Sequence, residues 1–252
     1  MKKIALFGIL LSIFCIVNME AKDKMNALNM KEQKIVAIAA CTARGDMPNL
    51  KNALAAGLDA GLTVNEIKEI LVQLYAYCGF PRSLNALGNC MALLKEREAG
   101  GIRDAQGKLP GPLPAGKSID FGTANQTKLC GAPVKGALFD FAPAIDEYLK
   151  AHLFGDIFGR DNLDWRTREI ATIAALAAMP GVESQLNSHI AIGRHNGVTD
   201  AQIGEILAAV NGNEYGVPHI SAFPVGQENT GYAKYFSGKS YLARLTKDER
   251  LN

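Results

Sequence analysis

An internal duplication constrains the fold of this chain more than any other feature of its sequence. Residues 50–71 read LKNALAAGLDAGLTVNEIKEIL, and residues 186–207 read LNSHIAIGRHNGVTDAQIGEIL. In each copy, apolar residues at helical spacing lead to a glycine, Gly61 or Gly197, that can adopt the left-handed conformation which ends a helix. A capping box then predicts a second helix directly afterwards, so the same helix–turn–helix unit is expected twice. The two candidate capping boxes are Thr63 with Glu66 and Thr199 with Gln202.

The similarity extends beyond this unit, but the polar residues of the two copies differ. The helical segment that starts at Lys34 resembles the segment that starts at Glu169, at an offset one residue shorter. Under this alignment Glu169 corresponds to Lys34, and His189 corresponds to Ala53. Only the second copy therefore carries an acid and a histidine at these positions. The core pattern is duplicated, whereas the candidate chemistry is not.

The composition favours a helical globular protein and argues against nucleic acid as a partner. A chain of 252 residues can form one large domain or two moderate ones, and the repeat favours two similar halves packed together. The net charge is only +2, and no basic run is interleaved with aromatic residues. No segment shows the strong alternation of a strand. The predicted class is therefore all-α, built from tandem duplicated helical units.

The first residues have the pattern of a signal peptide. Lys2 and Lys3 precede an apolar run from Ile4 to Val17, and Ala21 offers a small residue for cleavage. The run is shorter than the roughly 20 apolar residues that a membrane-spanning helix needs. We therefore expect export, to the periplasm, with no membrane attachment after cleavage. An uncleaved anchor is the alternative.

Four cysteines follow the predicted cleavage site: Cys41, Cys78, Cys90 and Cys130. Four cysteines in an exported chain permit two disulfides, although a chain of this size with a helical core does not need them. Cys41 lies in an apolar helical run and is most simply a buried small hydrophobe. The redox state of the other three stays open from the sequence.

Local patterns divide the chain into segments. Pro81 can open a helix, Ala142 to Phe154 is predicted to be an amphipathic helix, and Asp164 is a candidate N-cap for the helix after it. Glycine, proline and polar residues dominate the connector between the repeats, which contains PGPLP. The predicted segments are a signal peptide at 1–21, a first repeat at 22–99, a Gly/Pro-rich linker at 100–137, a second repeat at 138–220 and a C-terminal tail at 221–252.

Two stretches carry a resemblance to a known family. The stretch LFGDIFGRDNLDWRTREIATIAALAAMPGVESQLNSHIAIGRHNGVTDAQIGEIL resembles the carboxymuconolactone decarboxylase family of the alkylhydroperoxidase-D-like superfamily. YAYCGFPRSLNAL in the first half resembles the end of the same family's repeat. The resemblance implies an all-helical unit that assembles into trimers or hexamers, and we expect a homotrimer. The segment KYFSGKSYLARL resembles the lead into a cupin barrel in fused members, so a separate cupin protein is a candidate partner.

The resemblance also implies two kinds of chemistry. One branch of the superfamily reduces peroxides through C-x-x-C followed four residues later by a histidine, with an upstream glutamate. His189 and Glu169 match that histidine and glutamate, but Val182 and Gln185 stand where the cysteines would be. The other branch removes a carboxylate from a lactone without metal or organic cofactor. We therefore expect a small carboxylated or lactone substrate, with His189 as proton donor and Glu169 orienting its ring.

Three residues of the first repeat are candidate substrate contacts. Arg82 suits a substrate carboxylate because of its fork geometry, although a surface arginine after a helix-opening proline is an equally simple interpretation. Tyr77 and Cys78 precede it and could face His189 across the interface of the two copies. A thiol-dependent peroxidase centred on Cys78 and a non-catalytic small-molecule-binding scaffold are the alternative functions. No metal is predicted, because four scattered histidines do not make a zinc site.

Overall fold

The computed structural model describes residues 27–212 and, further along the chain, two short strands at 227–228 and 241–242. The helices lie in one compact unit and the strand pair lies in a second. The helices of the first unit are α1 (Met30–Arg44), α2 (Met47–Asp59), α3 (Val64–Ala99), α4 (Ser118–Cys130), α5 (Ala137–Phe141), α6 (Pro143–Tyr148), a π-helix (Leu149–Ile157), α7 (Trp165–Ala177), α8 (Glu183–His195) and α9 (Asp200–Asn211). The predicted all-α class is confirmed by this unit.

The duplicated unit forms the same turn in both repeats. Gly61 and Gly197 both have a φ of 89°, the left-handed conformation expected after a helix. Thr63 then begins α3 and Thr199 begins α9, each with both hydrogen bonds of a capping box. The helix–turn–helix prediction is therefore confirmed in both copies.

Each repeat also packs its helices through an equivalent glycine. A Cβ atom on Gly57 would lie 3.0 Å from Cδ1 of Ile38, and a Cβ atom on Gly193 would lie 2.9 Å from Cδ1 of Ile173. Both distances are shorter than ordinary carbon–carbon contacts, so only glycine lets the two helices approach this closely. The equivalence shows that the duplication extends from the sequence to the packing.

The centre of the unit is the pair α1 and α7, the corresponding helices of the two repeats, which pack against each other. Both helices are rich in alanine and isoleucine and are buried on nearly all sides, as a helix without a continuous polar face must be. Asp164 caps α7 by accepting a hydrogen bond from the backbone N–H of Thr167 at 2.8 Å, as predicted. The residues buried along these two helices are Glu32, 35–43 and 168–176.

A kink divides the long helix α3. Gly79 has φ 83° and ψ 157°, far from helical values, and is the one non-helical residue within α3. Pro81 therefore lies in the first turn after the kink, close to the helix start that the sequence predicted there. The hydroxyl of Ser83 donates to the carbonyl of Leu71 at 2.7 Å and ties the two halves of α3 together.

Helix α4 lies inside the segment predicted as a linker. Its N-cap, Lys117, makes no capping hydrogen bond, so the helix depends on packing against the π-helix. A Cβ on Gly122 would lie 1.9 Å from the carbonyl oxygen of Lys150, and one on Gly155 would lie 2.7 Å from that of Ser118. The two backbones are therefore in close contact. Gly122, one of the glycines of the predicted linker, is thus a residue that allows this segment to pack.

The amphipathic helix predicted from Ala142 to Phe154 is not one α-helix. The chain forms the short helix α6 and then the π-helix, whose wider turn is uncommon and often lies at functional sites. This stretch buries Leu153 and Phe154 against α4 in one apolar cluster with Leu129.

The chain termini bear on several predictions. The signal peptide at 1–21 lies outside the described residues, as does most of the tail at 221–252. Within that tail β1 (Gln227–Glu228) pairs antiparallel with β2 (Tyr241–Leu242), a short strand element that the sequence did not predict. Among the described residues, no helix has both the length and the apolarity needed to cross a membrane.

Candidate functional site

The site is built around a buried histidine–glutamate pair from the second repeat. Nδ1 of His189 on α8 lies 2.8 Å from Oε2 of Glu169 on α7. The side chain of Glu169 is fully buried, and that of His189 is 10% exposed. The two residues that the resemblance singled out are therefore in direct contact.

This contact determines which nitrogen of the ring is available for chemistry. A carboxylate can only accept hydrogen bonds, so Nδ1 of His189 carries a hydrogen and donates a hydrogen bond to Glu169. Nε2 makes no hydrogen bond to any residue in the described part of the chain. The glutamate thus orients the imidazole and leaves Nε2 to exchange a proton with a bound molecule.

The second carboxylate oxygen of Glu169 is also available. Oε1 is buried and has no hydrogen-bond partner among the described residues. A buried carboxylate oxygen without a donor is unfavourable, since folding removes it from water without compensation. A hydroxyl group of a bound molecule could supply that donor.

Tyr77 on α3 brings the first repeat into the site. Its ring meets the ring of His189 edge-on, with centroids 5.3 Å apart and an interplanar angle of 80°. Burial raises the pKa of Tyr77 well above its ordinary value, the negative charge of Glu169 raises it further, and Thr172 and Arg168 oppose the change. Tyr77 therefore remains a neutral phenol that can donate a hydrogen bond.

A buried arginine connects the two repeats behind this pair. Arg168 is 0% exposed, and its guanidinium donates to Oε1 of Glu69 and to Oε1 of Gln73, both at 2.9 Å. Gln73 in turn donates to Oγ1 of Thr172 at 2.8 Å. Since Arg168 precedes Glu169 on α7, this network holds the helix that carries Glu169. Sequence analysis did not single out Arg168, because its partner Glu69 lies in the other repeat.

Cys130 is a second residue that sequence reasoning did not place at the site. It ends α4, which is held to α8 by a hydrogen bond of 2.9 Å from the side-chain amide of Asn196 to the carbonyl of Leu129. Burial raises the pKa of the Cys130 thiol, and so does the negative charge of Glu169. The thiol therefore lies within the electrostatic influence of Glu169 and stays protonated near neutral pH.

Arg82 and Cys78, the other two candidate substrate contacts of the first repeat, do not bond to the histidine–glutamate pair. Arg82 is exposed, and its Nε lies 3.9 Å from the position that a Cβ of Gly45 would take. Cys78 donates to the carbonyl of Leu74 at 3.2 Å. Burial raises the pKa of Cys78 and the charge of Arg82 partly offsets this. Across the described chain, neither residue makes a hydrogen bond or an ion pair with the histidine–glutamate pair.

The described part of the chain contains four cysteines and no candidate metal-binding cluster. Cys41, Cys78, Cys90 and Cys130 are all free thiols. No cluster of three or more histidine, cysteine or acidic side chains within residues 27–212 is arranged to hold a metal ion. The imidazole of His189, the carboxylate of Glu169 and the phenol of Tyr77 are groups that can transfer protons and form hydrogen bonds.

Comparison with known families gives one match, found twice along the chain. The family model described as the carboxymuconolactone decarboxylase family matches residues 13–88 and 143–217, which together make up more than half of the chain. The first match includes Tyr77, and the second includes Glu169 and His189. Comparison with curated proteins gives no match.

Proposed function

The chain belongs to the carboxymuconolactone decarboxylase family, and on that premise we propose that it is a lyase that removes a carboxylate from a small carboxylated or lactone compound, without a metal or organic cofactor. The observation that carries the proposal is the 2.8 Å contact between Nδ1 of His189 and Oε2 of Glu169. A carboxylate at this distance holds the imidazole ring in one orientation and leaves Nε2 to transfer a proton, as a general acid requires.

In the proposed reaction, the bond between carbon dioxide and the substrate carbon breaks, and its electron pair stays on that carbon. A neighbouring lactone carbonyl delocalises the charge. Nε2–H of His189 then donates its proton to the carbon, and the imidazole regains a proton from water. The sum is carboxylate plus water giving carbon dioxide, the protonated compound and a hydroxide ion, so atoms and charge balance. General acid catalysis of this kind contributes roughly 100- to 10,000-fold to a rate.

Two further groups favour binding of an oxygen-rich substrate. The neutral phenol of Tyr77 can donate a hydrogen bond to a carbonyl or carboxylate oxygen beside His189. The unpartnered Oε1 of Glu169 can accept one from a hydroxyl group. A substrate with both kinds of oxygen would therefore satisfy groups that the folded chain leaves without partners. Substrate binding by Arg82 and Cys78 stays a prediction.

The thiol-peroxidase alternative has weaker support. A peroxide-reducing cysteine needs a thiolate, and burial raises the pKa of Cys78 instead of lowering it. Its thiol is also engaged with the carbonyl of Leu74. The homotrimer, the periplasmic location and a cupin partner stay predictions that follow from the sequence and its resemblance.

The test is release of carbon dioxide from a panel of small carboxylated lactones, measured for the wild-type protein and for His189→Gln. We expect kcat to fall about 100-fold or more, with a much smaller change in KM, because the proton is donated in the transition state. The matched control is His195→Gln, at the exposed end of the same helix.

Three outcomes would contradict the proposal. Equal carbon dioxide release by wild type and His189→Gln would remove the histidine from the mechanism. Ligand-dependent melting shifts without turnover would instead favour a binding scaffold. Peroxide consumption that is lost in Cys78→Ser would favour the peroxidase.

A further inference from the structure

A second row of hydrogen-bonded side chains lies away from the histidine–glutamate pair. The hydroxyl of Tyr75 is hydrogen-bonded to Nε2 of His152. Nδ1 of His152 lies 2.8 Å from Oδ2 of Asp156, and Oδ1 of Asp156 accepts a hydrogen bond of 2.6 Å from the hydroxyl of Ser118. We call Tyr75, His152, Asp156 and Ser118 the tyrosine row. Its order is hydroxyl, imidazole, carboxylate, hydroxyl.

Three elements are needed to assemble the tyrosine row. Tyr75 comes from α3 before the kink, and Ser118 is the first residue of α4. His152 and Asp156 lie four positions apart on the π-helix. The close approach of α4 to the π-helix at Gly155 brings Ser118 beside Asp156. The arrangement therefore depends on the two features that the sequence did not predict, α4 and the π-helix.

The hydrogen bonds determine the direction of proton transfer. Although burial raises the pKa of Asp156, the hydrogen bonds from Ser118 and His152 outweigh it, so the pKa lies below its ordinary value. Asp156 is therefore a carboxylate that accepts from Nδ1–H of His152. In the neutral ring Nε2 then has a lone pair, and it accepts the hydroxyl hydrogen of Tyr75. A nucleophile, a base and a group that orients the base follow in sequence, as in enzymes that form covalent intermediates.

The tyrosine row is accessible from solvent. The side chains of His152 and Asp156 are 49% and 39% exposed. Phe80 stacks on the ring of Tyr75, with centroids 4.3 Å apart, and is itself 61% exposed. An apolar surface thus lies next to the hydroxyl, where the hydrocarbon part of an acyl donor could rest.

We propose that the tyrosine row is a second reactive site, at which Tyr75 takes an acyl group from activated esters. Oη of Tyr75 attacks the ester carbonyl carbon while His152 Nε2 takes the phenolic proton. The bond to the leaving group then breaks, and the leaving group takes the proton from His152. Water hydrolyses the acyl-tyrosine by the same proton transfers and restores Tyr75. The sum is activated ester plus water giving carboxylic acid plus the protonated leaving group.

The acidity of the tyrosine defines the substrate class. The intermediate formed by attack of Tyr75 can expel either the phenolate of Tyr75 or the original leaving group. Because a tyrosine phenol has an ordinary pKa of about 10, the acyl group is retained only when the original leaving group is more acidic. Aryl esters with electron-withdrawing rings and thioesters meet this condition, whereas simple alkyl esters do not.

The experiment uses 4-nitrophenyl acetate with the full chain, following release of nitrophenolate and locating the acetyl group by peptide mass spectrometry. Acetyl is expected on Tyr75 in wild type and is expected to be absent in Tyr75→Phe. His152→Gln and Asp156→Asn should slow its formation, by roughly 100-fold for the histidine, because they remove the base and its orienting group. Ethyl acetate should give no acetyl-tyrosine.

Matched controls distinguish this site from general surface reactivity. Tyr148→Phe removes a tyrosine that is 64% exposed, and His195→Gln removes an exposed histidine, so both should keep the wild-type rate at Tyr75. The folding of each variant is checked by circular dichroism. Acetyl found only on cysteines or lysines, acetylation of Tyr148 as fast as that of Tyr75, or an unchanged rate in His152→Gln would each overturn the proposal. None of these readouts depends on the decarboxylase activity.

Discussion

Removal of the Glu69 carboxylate should destabilise this fold far more than removal of its counterpart in the other repeat. Glu69 is 2% exposed and pairs with Arg168, which is 0% exposed, and also with Arg160. In Glu69→Ala the guanidinium of Arg168 stays buried without its counter-charge. Breaking a buried pair in this way costs about 3–5 kcal/mol.

Glu205 occupies the equivalent position in the second repeat and provides the control. Its carboxylate accepts hydrogen bonds from the backbone N–H of Leu28 at 2.9 Å and from the side chain of Gln33 at 3.3 Å. Neither donor carries a charge. Glu205→Ala should therefore cost about 1–3 kcal/mol, the usual penalty for leaving neutral donors without their acceptor.

Urea and thermal denaturation followed by circular dichroism measure both effects. For a domain of this size, about 3–5 kcal/mol corresponds to a decrease in Tm of roughly 6–20 °C. The double variant Glu69→Leu with Arg168→Met should recover much of the loss, because no unpaired charge remains buried. If Glu69→Ala loses no more stability than Glu205→Ala, or if the double variant is less stable than Glu69→Ala, the electrostatic explanation is wrong.

Two other changes test the backbone and the buried thiols. Gly79→Ala should destabilise by about 1–3 kcal/mol, because φ 83° and ψ 157° are accessible only to glycine. Gly88→Ala, in the open part of the same helix, should stabilise by about 0.5–1 kcal/mol, and urea denaturation compares the two. Burial raises the pKa values of Cys41 and Cys90 from 9.0 to about 11. Since the unfolded chain loses these protons first, their contribution of roughly 5 kcal/mol is present below pH 9 and is lost as pH rises to 11. Cys41→Ala with Cys90→Ala should flatten the decline in stability over that range, and an unchanged slope would contradict the assignment.

Periodicity and capping chemistry were sufficient to predict the duplicated part of the fold. Gly61 and Gly197 end helices because of a local conformational preference, and Thr63 and Thr199 begin helices because of local hydrogen bonds. The residues that form each such signal lie within a few positions of each other, so the amino-acid sequence alone is enough to identify them. The duplicated hairpin and the family resemblance together suggested that His189 and Glu169 act as a pair. The distance between them could not be predicted from the sequence.

The features that escaped prediction depend on contacts between distant segments. Helix α4 has no side-chain cap at Lys117 and is stabilised by packing against the π-helix. Gly122 and Gly155 allow the two backbones to come into contact. Arg168 looks like an ordinary first-turn arginine until α3 supplies Glu69 from 99 positions away. Local preference is a weak guide wherever tertiary packing supplies the stabilising free energy.

Tyr75 and Tyr77 illustrate why the division of the chemistry between two places could not be read from the sequence. Residues two positions apart on a helix point about 200° apart, so the two hydroxyls must face different neighbours. Tyr77 meets His189 on α8, whereas Tyr75 meets His152 on the π-helix, and each histidine has its own carboxylate. The rotation of the segment before Gly79 about its helix axis therefore decides which neighbour each tyrosine meets. The kink at Gly79 separates this segment from the rest of α3, and the buried bonds of Glu69 and Gln73 to Arg168 hold its rotation. The same buried network should therefore control both sites at once, so that loss of Glu69 weakens proton transfer at His189 and acylation of Tyr75 together.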